Sequence, residues 1–159
     1  MTEAEVEDKR ITLAEAAKKV SDGDGLFWGG FGYQRPPIAF SHELVRQKKR
    51  NLTVYTCGSE VDLEIMAGAG VVNRYEIAFS AIEALGLSNN IRRRVSEGVL
   101  EVEDYTNLAM AMRFLGGALN VPFMPLRSMM GTDMVRLARY RGENKLKVID
   151  CPFTGQKLT

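Results

Sequence analysis

The sequence predicts an α/β fold, with an open, mostly parallel sheet and helices on both faces, in one domain that spans residues 1–159. Strand-like and helix-like patterns alternate along the chain about 20 to 30 residues apart, which is the spacing of βαβ units. The chain is long enough to bury a core, and its 45% apolar and 26% charged residues are typical of a globular domain. Glycine or turn residues follow the predicted strands, where parallel sheets bind their ligands.

The charge balance excludes several classes of function. With 21 basic and 20 acidic residues, the chain has no excess of positive charge for a nucleic acid or a membrane surface. The first eight residues are acidic and lack the apolar core of a secretory signal, and no apolar run is long enough to cross a bilayer. We therefore expect a cytoplasmic protein with a small-molecule ligand.

The sparse histidine and cysteine residues restrict the chemistry further. His42 is the single histidine, so the sequence predicts neither a Ser-His-Asp triad nor a multi-histidine metal site. Cys57 and Cys151 lack metal or redox spacing and are expected as reduced thiols. We expect no metal and no tightly bound cofactor.

The first predicted unit is a helix, a strand and a second helix. A capping box that starts at Thr12 predicts a helix ending near Ser21. Residues 26–28 form a continuous apolar run, typical of a strand covered on both faces. Pro36 and Pro37 suit the first turn of the next helix. The residues of that helix predicted to face inward are Ile38, Ala39, Leu44 and Val45.

The same order then repeats. Residues 52–57 predict a second strand, and Ser59 begins a helix that ends at Gly70. Residues 75–80 predict a third strand, and residues 88–90 cap the helix that follows it.

Residues 99–104 predict a fourth strand that carries two carboxylates on one face. Alternation places Leu100 and Val102 on one side, and Glu101 and Glu103 on the other. Two interpretations stay open here: a solvent-facing strand surface, or a functional pair of carboxylates.

The remaining elements follow Thr106. A helix starting there has the clearest 3.6-residue period in the chain. Its predicted inward residues are Leu108, Ala111, Met112, Leu115, Ala118 and Leu119. Residues 121–125 contain two prolines and fit only the edge or end of a strand. Residues 131–133 begin a helical turn predicted to end near residues 141–142, and residues 145–150 predict a final strand.

A glycine-rich hinge at residues 29–32 is the strongest candidate for a ligand site. Gly29, Gly30 and Gly32 allow positive φ and close approach of another molecule, and backbone N–H groups beside a helix start favour an anionic or carbonyl oxygen. The alternative is a strand-to-helix turn without a ligand. Three other segments fall at the carboxyl ends of predicted strands, and the architecture predicts one shared crevice. They are residues 57–59, residues 79–83 with Phe79 and Glu83, and residues 104–106.

The hinge also resembles a family signature. Asp24-Gly25, an apolar triplet, residues 29–32 and Pro36 are similar to the amino-terminal signature of the α subunits of family I coenzyme A transferases. Arg35 stands where many members have glycine, as in the glutaconate CoA-transferase branch and in related ring-opening CoA-thioester hydrolases. Further similar segments follow in the same order, at residues 51–54, 68–70, 86–87, 98–103 and 122–125.

The resemblance implies a function and a partner. Members exchange CoA between carboxylic acids through an acyl-glutamyl anhydride and a glutamyl-CoA thioester, and the β half supplies that glutamate. We therefore expect an α-type subunit that binds an acyl-CoA substrate and works in an oligomer with a β-type subunit. Because the family's α subunit continues beyond a segment like residues 151–155, we also expect this chain to be truncated at its carboxyl end. The acyl-CoA pocket would include Gly29, Gly30, Phe31, Gly32, Arg35, Ser59, Phe79 and Glu83.

Two alternatives stay open. In a CoA-thioester hydrolase of the same family, Glu101 or Glu103 would act as the base on water. The chain could instead be a binding module without activity. A need for a carboxylate acceptor distinguishes a transferase from a hydrolase, which needs only water.

Overall fold

The computed structural model describes residues 8–137 and 145–159, which form an α/β structure around a four-stranded sheet. In chain order the elements are α1 (Leu13–Lys18), β1 (Gly25–Phe27), α2 (Ile38–Arg46), β2 (Leu52–Thr56), α3 (Val61–Ala69), β3 (Val72–Ile77), β4 (Ala81–Ile82), β5 (Gly86–Leu87), α4 (Asn89–Ser96), β6 (Glu101–Asp104), α5 (Asn107–Ala118), α6 (Asp133–Leu137), β7 (Ile149–Asp150) and β8 (Lys157–Leu158).

The central sheet is entirely parallel, with the strand order β1-β2-β3-β6. In its register Leu26 lies beside Val54, Val54 beside Tyr75, and Tyr75 beside Val102. Two short antiparallel hairpins, β4-β5 and β7-β8, lie outside it. The predicted fold class is confirmed, and neither hairpin was predicted.

The two faces of the sheet differ in character. One face of the sheet carries Val54 and Tyr75 and packs on α1 to α4. It forms the main core, where Leu44 and Met66 are fully buried. Tyr55 lies on the opposite face and packs in a second cluster with α5. Helices therefore cover both faces, as predicted.

Three helix boundaries have the predicted chemistry. The Thr12 side chain accepts from the Glu15 N–H while the Glu15 carboxylate accepts from the Thr12 N–H, which completes the capping box of α1. Thr106 caps α5 by accepting from the Ala109 N–H at 3.2 Å. Gly70 ends α3 in the left-handed region with φ 70°.

Other boundaries differ from the prediction. α1 ends at Lys18, and β3 ends at Ile77, which leaves Phe79 in the loop after the strand. The strand predicted at residues 145–150 is only the two-residue β7, and β8 follows it. The predicted end of the helical turn, at residues 141–142, lies outside the described residues, as do the first seven residues.

Two predicted inward faces are wrong. β1 is an edge strand, and Phe27 on it is 76% exposed, although its ring stacks on Tyr55 and meets the Phe114 ring edge-on. In α5 the buried residues are Ala109, Met110 and Gly116, whereas Leu108, Leu115 and Leu119 are exposed. Ala39 of α2 is also exposed. The period identified the helices, but the neighbouring elements decided which side they bury.

Among the described residues, no helix combines the length and the apolar character needed to cross a membrane.

Candidate functional site

The loops at the carboxyl ends of β1, β2 and β3 meet at one end of the sheet. The Trp28 N–H donates to the Tyr55 carbonyl at 2.8 Å, and the Gly32 N–H donates to the Gly58 carbonyl at 3.2 Å. A Cβ atom placed on Gly58 would lie 3.5 Å from the Phe31 ring and 3.5 Å from the Phe79 Cβ. The structure thus brings Phe31, Gly32 and Phe79 together where parallel sheets bind ligands.

The glycine hinge is a tight turn with one position that requires glycine. The Phe31 N–H donates to the Gln34 carbonyl and the Gln34 N–H donates back, so the turn is closed by two hydrogen bonds of 3.0 and 2.8 Å. Gly30 has φ 93°, and a Cβ there would lie 2.8 Å from the Pro36 N and Cα atoms. Gly29 has no atom within 4 Å of such a Cβ. The backbone can adopt this turn at Gly30 only because glycine has no side chain.

Two backbone donors in the hinge are available to a ligand. Within the described residues, the N–H groups of Gly29 and Gly30 donate no hydrogen bond, and both residues are exposed. Consecutive free N–H groups at the end of a strand can bind a carbonyl or anionic oxygen.

Arg35 follows the turn with φ 57°, a conformation that is uncommon outside glycine. Its side chain is exposed, as is that of Glu83 at the tip of the β4-β5 hairpin. Glu83 acts electrostatically on Tyr33, where it contributes to raising the pKa of the phenol. The hairpin tip therefore lies on the same side as the hinge.

Ser59 lies inside the structure rather than on the crevice surface. It is fully buried, and its hydroxyl donates to Asp62 Oδ1 at 2.5 Å. The other Asp62 oxygen accepts from the indole N–H of Trp28, which stacks on Phe40 with 5.9 Å between ring centroids. This buried triad ties the loop after β2 to the residue before the hinge.

Glu60 is a buried carboxyl in the same loop, and no sequence pattern singled it out. Its residue is 1% exposed, and Oε1 lies 3.4 Å from a Cβ atom placed on Gly32. Oε2 is buried and has no hydrogen-bond partner among the described residues. Glu60 is the N-cap residue of α3, but its side chain makes no capping hydrogen bond.

Tyr33 covers this carboxyl. Desolvation raises the pKa of the Tyr33 phenol, the Ala84 backbone hydrogen bond opposes that rise, and the side-chain hydrogen bond and negative charge of Glu60 add to it. The Tyr33 side chain is about half exposed and shares a hydrogen bond with the buried Glu60.

Glu101 and Glu103 lie on the α5 side of the sheet, in a network of charges. Glu103 is 4% exposed and pairs with Arg74 and with Lys145, the latter at 2.7 Å. The solvent-facing interpretation is therefore wrong for Glu103, because the cations and α5 cover that face. Glu101 is about half exposed, 3.9 Å from the Arg74 guanidinium. A basic role for either carboxylate stays a prediction.

Glu76 belongs to the same network and was missed by the sequence interpretation. It is buried beside Glu103 in the sheet register and pairs with Arg113 at 2.6 Å and Lys145 at 2.8 Å. Burial alone would raise the pKa of Glu76, but the hydrogen bonds from Lys145 and Arg113 lower it below its ordinary value. Alternation within β3 was the available signal, because Glu76 stands between two buried apolar residues of the opposite face.

A separate cleft of about 590 Å³ lies between α5 and the carboxyl-terminal segment. Arg113, Lys145 and Lys147 line it together with apolar residues such as Phe123 and Ile149. None of the predicted pocket residues lines this cleft.

These features define a class: an open parallel α/β protein with a glycine-rich loop cluster at the carboxyl end of its sheet. The family model for Coenzyme A transferase matches residues 10–147. The chain belongs to the coenzyme A transferase family.

Individual relatives refine this assignment. The chain is 30% identical over 152 residues to the A subunit of 3-oxoadipate CoA-transferase from Pseudomonas knackmussii, covering 93% of this chain and 52% of that protein. It is 31% identical over 163 residues to the A subunit of glutaconate CoA-transferase from Acidaminococcus fermentans, covering 94% and 51%. It is 26% identical over 147 residues to the cholesterol ring-cleaving hydrolase IpdA subunit of Rhodococcus jostii, covering 92% and 48%.

The fold comparison agrees with these sequences. The crystal structure of glutaconate coenzyme A-transferase from Acidaminococcus fermentans superposes with a TM-score of 0.79, over 93% of this chain and 51% of that one. The resemblance to α subunits of family I transferases is confirmed. The chain spans between 34% and 52% of the length of the curated relatives it matches.

Proposed function

We propose that this chain is the α-type part of a CoA-transferase that moves CoA between carboxylic acids. The family match over residues 10–147 carries this proposal, and it is supported by the relatives named as transferase A subunits. In this role the chain supplies the acyl-CoA pocket, and a β-type partner supplies the nucleophilic glutamate. The substrate is a coenzyme A thioester, and the complex works in the cytoplasm.

The hinge provides the chemistry for the thioester. The free N–H groups of Gly29 and Gly30 are donors for the thioester oxygen, on which negative charge develops as a carboxylate attacks. Phe31 and Phe79, which are 53% and 40% exposed, offer apolar walls beside the hinge. Arg35 and Glu83, both exposed near this end, complete the proposed pocket rim.

Exposed apolar residues on a second surface support a partner chain. Leu108 and Leu115 on α5 are 51% and 41% exposed, and Leu119, the C-cap residue of that helix, is 62% exposed. Apolar side chains grouped in this way mark an interaction surface. We place an oligomer contact on this outward side of α5.

The decisive experiment is the acceptor dependence of the reaction. The chain is tagged, recovered with its native partners, and incubated with an acyl-CoA in the presence and absence of a carboxylic acid acceptor. A transferase forms the new acyl-CoA only with the acceptor, whereas release of free CoA in water alone would identify a hydrolase.

Trapping locates the nucleophile in the same complex. Borohydride treatment during turnover should modify a glutamate of the partner and none in this chain. A modified glutamate recovered from this chain would contradict the assignment of the nucleophile to the β-type partner.

The hydrolase is the second candidate, favoured by the likeness to the IpdA subunit. Under it, Glu101 or Glu103 acts on water. The ion pairs of Glu103 with Arg74 and Lys145 hold its carboxylate on the sheet face, so the partly exposed Glu101 is the more accessible of the two.

A further inference from the structure

The end of β2 and the loop after it hold the glycine hinge on both sides. On one side the Trp28 N–H donates to the Tyr55 carbonyl at 2.8 Å, and on the other the Gly32 N–H donates to the Gly58 carbonyl at 3.2 Å. The free N–H groups of residues 29–30 lie between these two hydrogen bonds. The direction in which they point therefore depends on how well the flanking residues are fixed.

Trp28 determines the direction of the first donor. The Gly29 N–H lies in the same rigid peptide plane as the Trp28 carbonyl, so a rotation of Trp28 about its own backbone turns that N–H as well. Glycine does not restrict this rotation, because it has no Cβ atom. A side-chain contact that fixes Trp28 therefore also fixes an N–H group of the proposed thioester site.

One buried carboxylate fixes the Trp28 side chain. The indole N–H donates to Asp62 Oδ2 across 34 residues of sequence, and the ring stacks on Phe40 with 5.9 Å between ring centroids. Stacking alone lets a ring slide over its neighbour, whereas a hydrogen bond to a carboxylate is directional and about twice as strong as one between neutral groups. The Ser59 hydroxyl donates to the other oxygen, Oδ1, at 2.5 Å and thereby orients the carboxylate.

Stability alone does not account for a carboxylate at this position. Asp62 is fully buried, both of its donors are neutral, and it forms no ion pair among the described residues. Its place in the first turn of α3 offsets part of the desolvation cost through the helix dipole. Apolar groups of the same shape are nevertheless often as stable in a buried site, or more so. They lack the two directional acceptors that join Trp28 to the loop after β2.

We propose that Asp62 is a positioning residue of the transfer reaction, which holds Trp28, and through it the Gly29 N–H, in the orientation that meets the thioester oxygen. Ser59 then acts through Asp62 and not on the substrate. This inference rests on the proposed function and deepens it, because it assigns the geometry of the hinge to a residue that does not touch the reacting atoms.

The first test compares Asp62→Leu with Asp62→Asn in the native complex. Formation of acetyl-CoA is followed with acetate as the acceptor and butyryl-CoA or succinyl-CoA as the donor. Leucine has a similar volume but no acceptor, so kcat should fall about 10- to 100-fold through the displaced donor. KM should change by less than about 3-fold, because the lost interaction belongs to the transition state. An asparagine oxygen can still accept the indole N–H while its NH2 group donates to the Ser59 hydroxyl, so Asp62→Asn should lower kcat by a few-fold at most.

Glu64→Gln is the matched control. Glu64 is a buried carboxylate of the same helix, but its oxygens accept the backbone N–H groups of Asn90 and Ile91 at 3.0 and 3.1 Å and so contact α4 instead of the hinge. Its substitution should leave kcat unchanged. The proposal would be overturned by a wild-type kcat in Asp62→Leu, by a rise in KM alone, by equal losses in Asp62→Asn and Asp62→Leu, or by an equal loss in Glu64→Gln.

A triple variant, Trp28→Phe/Ser59→Ala/Asp62→Leu, separates positioning from stability. It removes the buried charge together with both of its donors, so these three positions leave no buried polar group without a partner. Its Tm should therefore stay within about 4 °C of the wild-type value, while kcat falls as in Asp62→Leu. Glu64→Gln should show the reverse, a lower Tm through the weakened contact with α4 and a normal kcat. A normal kcat in a triple variant of normal Tm would show a purely structural role for Asp62.

Nuclear magnetic resonance of the full chain tests the inference without turnover. In Asp62→Leu the indole N–H of Trp28, the single tryptophan, should lose its protection from hydrogen exchange, and the Gly29 and Gly30 amide peaks should broaden or split. In Asp62→Asn and Glu64→Gln these amide peaks should stay single and sharp. Unchanged Gly29 and Gly30 peaks in Asp62→Leu would refute the inference.

The kinetic and spectroscopic readouts distinguish this inference from the proposed function. If the complex hydrolyses thioesters without an acceptor, the proposed function fails, but the kcat ratios of the variants still decide the role of Asp62. If no thioester is turned over, the Gly29 and Gly30 peaks decide it.

Discussion

Substitution of the two adjacent glycines Gly29 and Gly30 should have different effects on stability. Gly30 has φ 93°, and its added Cβ would lie 2.8 Å from two Pro36 backbone atoms and 2.9 Å from the Arg35 carbonyl oxygen. Because all three contacts are backbone, the clash cannot be relieved by a side-chain rotation. Strain at such a φ costs about 1–3 kcal/mol and overpacking about 1–3 kcal/mol, so Gly30→Ala should lower the free energy of unfolding by about 2–6 kcal/mol.

Gly29→Ala is the matched control, since its Cβ would meet no atom within 4 Å. We expect a change within about 0.5 kcal/mol. Urea unfolding followed by the fluorescence of Trp28, the single tryptophan, measures both variants. That indole is 5% exposed and precedes the hinge directly, so its signal reports this region. Equal stabilities of the two variants would refute the assignment of Gly30 as the position that requires glycine.

Three further predictions follow from the charges, caps and exposed surface. The lowered pKa of Glu76 stabilises the fold above about pH 4.5, and this stability is lost as the pH falls through the folded-state pKa. Glu76→Gln should therefore lower the free energy of unfolding by about 1–3 kcal/mol at pH 7, and should weaken its dependence on pH in the acid range of a urea-unfolding series. An unchanged acid dependence would contradict the ion pairs of Glu76 with Arg113 and Lys145. Thr106→Ala should cost about 1 kcal/mol through the lost cap of α5, whereas Thr106→Ser keeps a hydroxyl that can accept from the Ala109 N–H and should cost less in the same unfolding assay; equal costs would argue against the cap. Leu115→Ser, on the outward side of α5, should shift light scattering toward smaller species without lowering the free energy of unfolding by more than about 0.5 kcal/mol; unchanged association would remove α5 from the partner surface.

The sequence predicted helix caps, turns and strand order correctly wherever one residue type determines the local structure. The Thr12 and Thr106 caps, the left-handed Gly70 and the parallel order of apolar strands all depend on short-range steric and hydrogen-bonding rules. The glycine hinge belongs to the same group, since a run with three glycines has few alternatives to a turn. The family resemblance rested on that stretch and was confirmed.

Burial was decided by tertiary structure. The period of α5 was visible in the sequence, but the helix buries Ala109 and Met110 and turns its leucines outward, since the sheet reaches only one side of it. Alternation in β6 predicted which residues share a face, but a shared face is not the same as solvent exposure. Arg74 and Lys145, 29 and 42 residues from Glu103, bury that carboxylate by pairing with it.

The sequence by itself therefore determined the fold class, the hinge and the family, because these follow from local residue types and their order. Only the tertiary structure decided that the Ser59 hydroxyl donates to Asp62, that Glu76 and Glu103 share the cation Lys145, and that one oxygen of the buried Glu60 has no hydrogen-bond partner. Each of these depends on which distant groups the fold places within about 3 Å, the range of a hydrogen bond, and no local pattern carries that information.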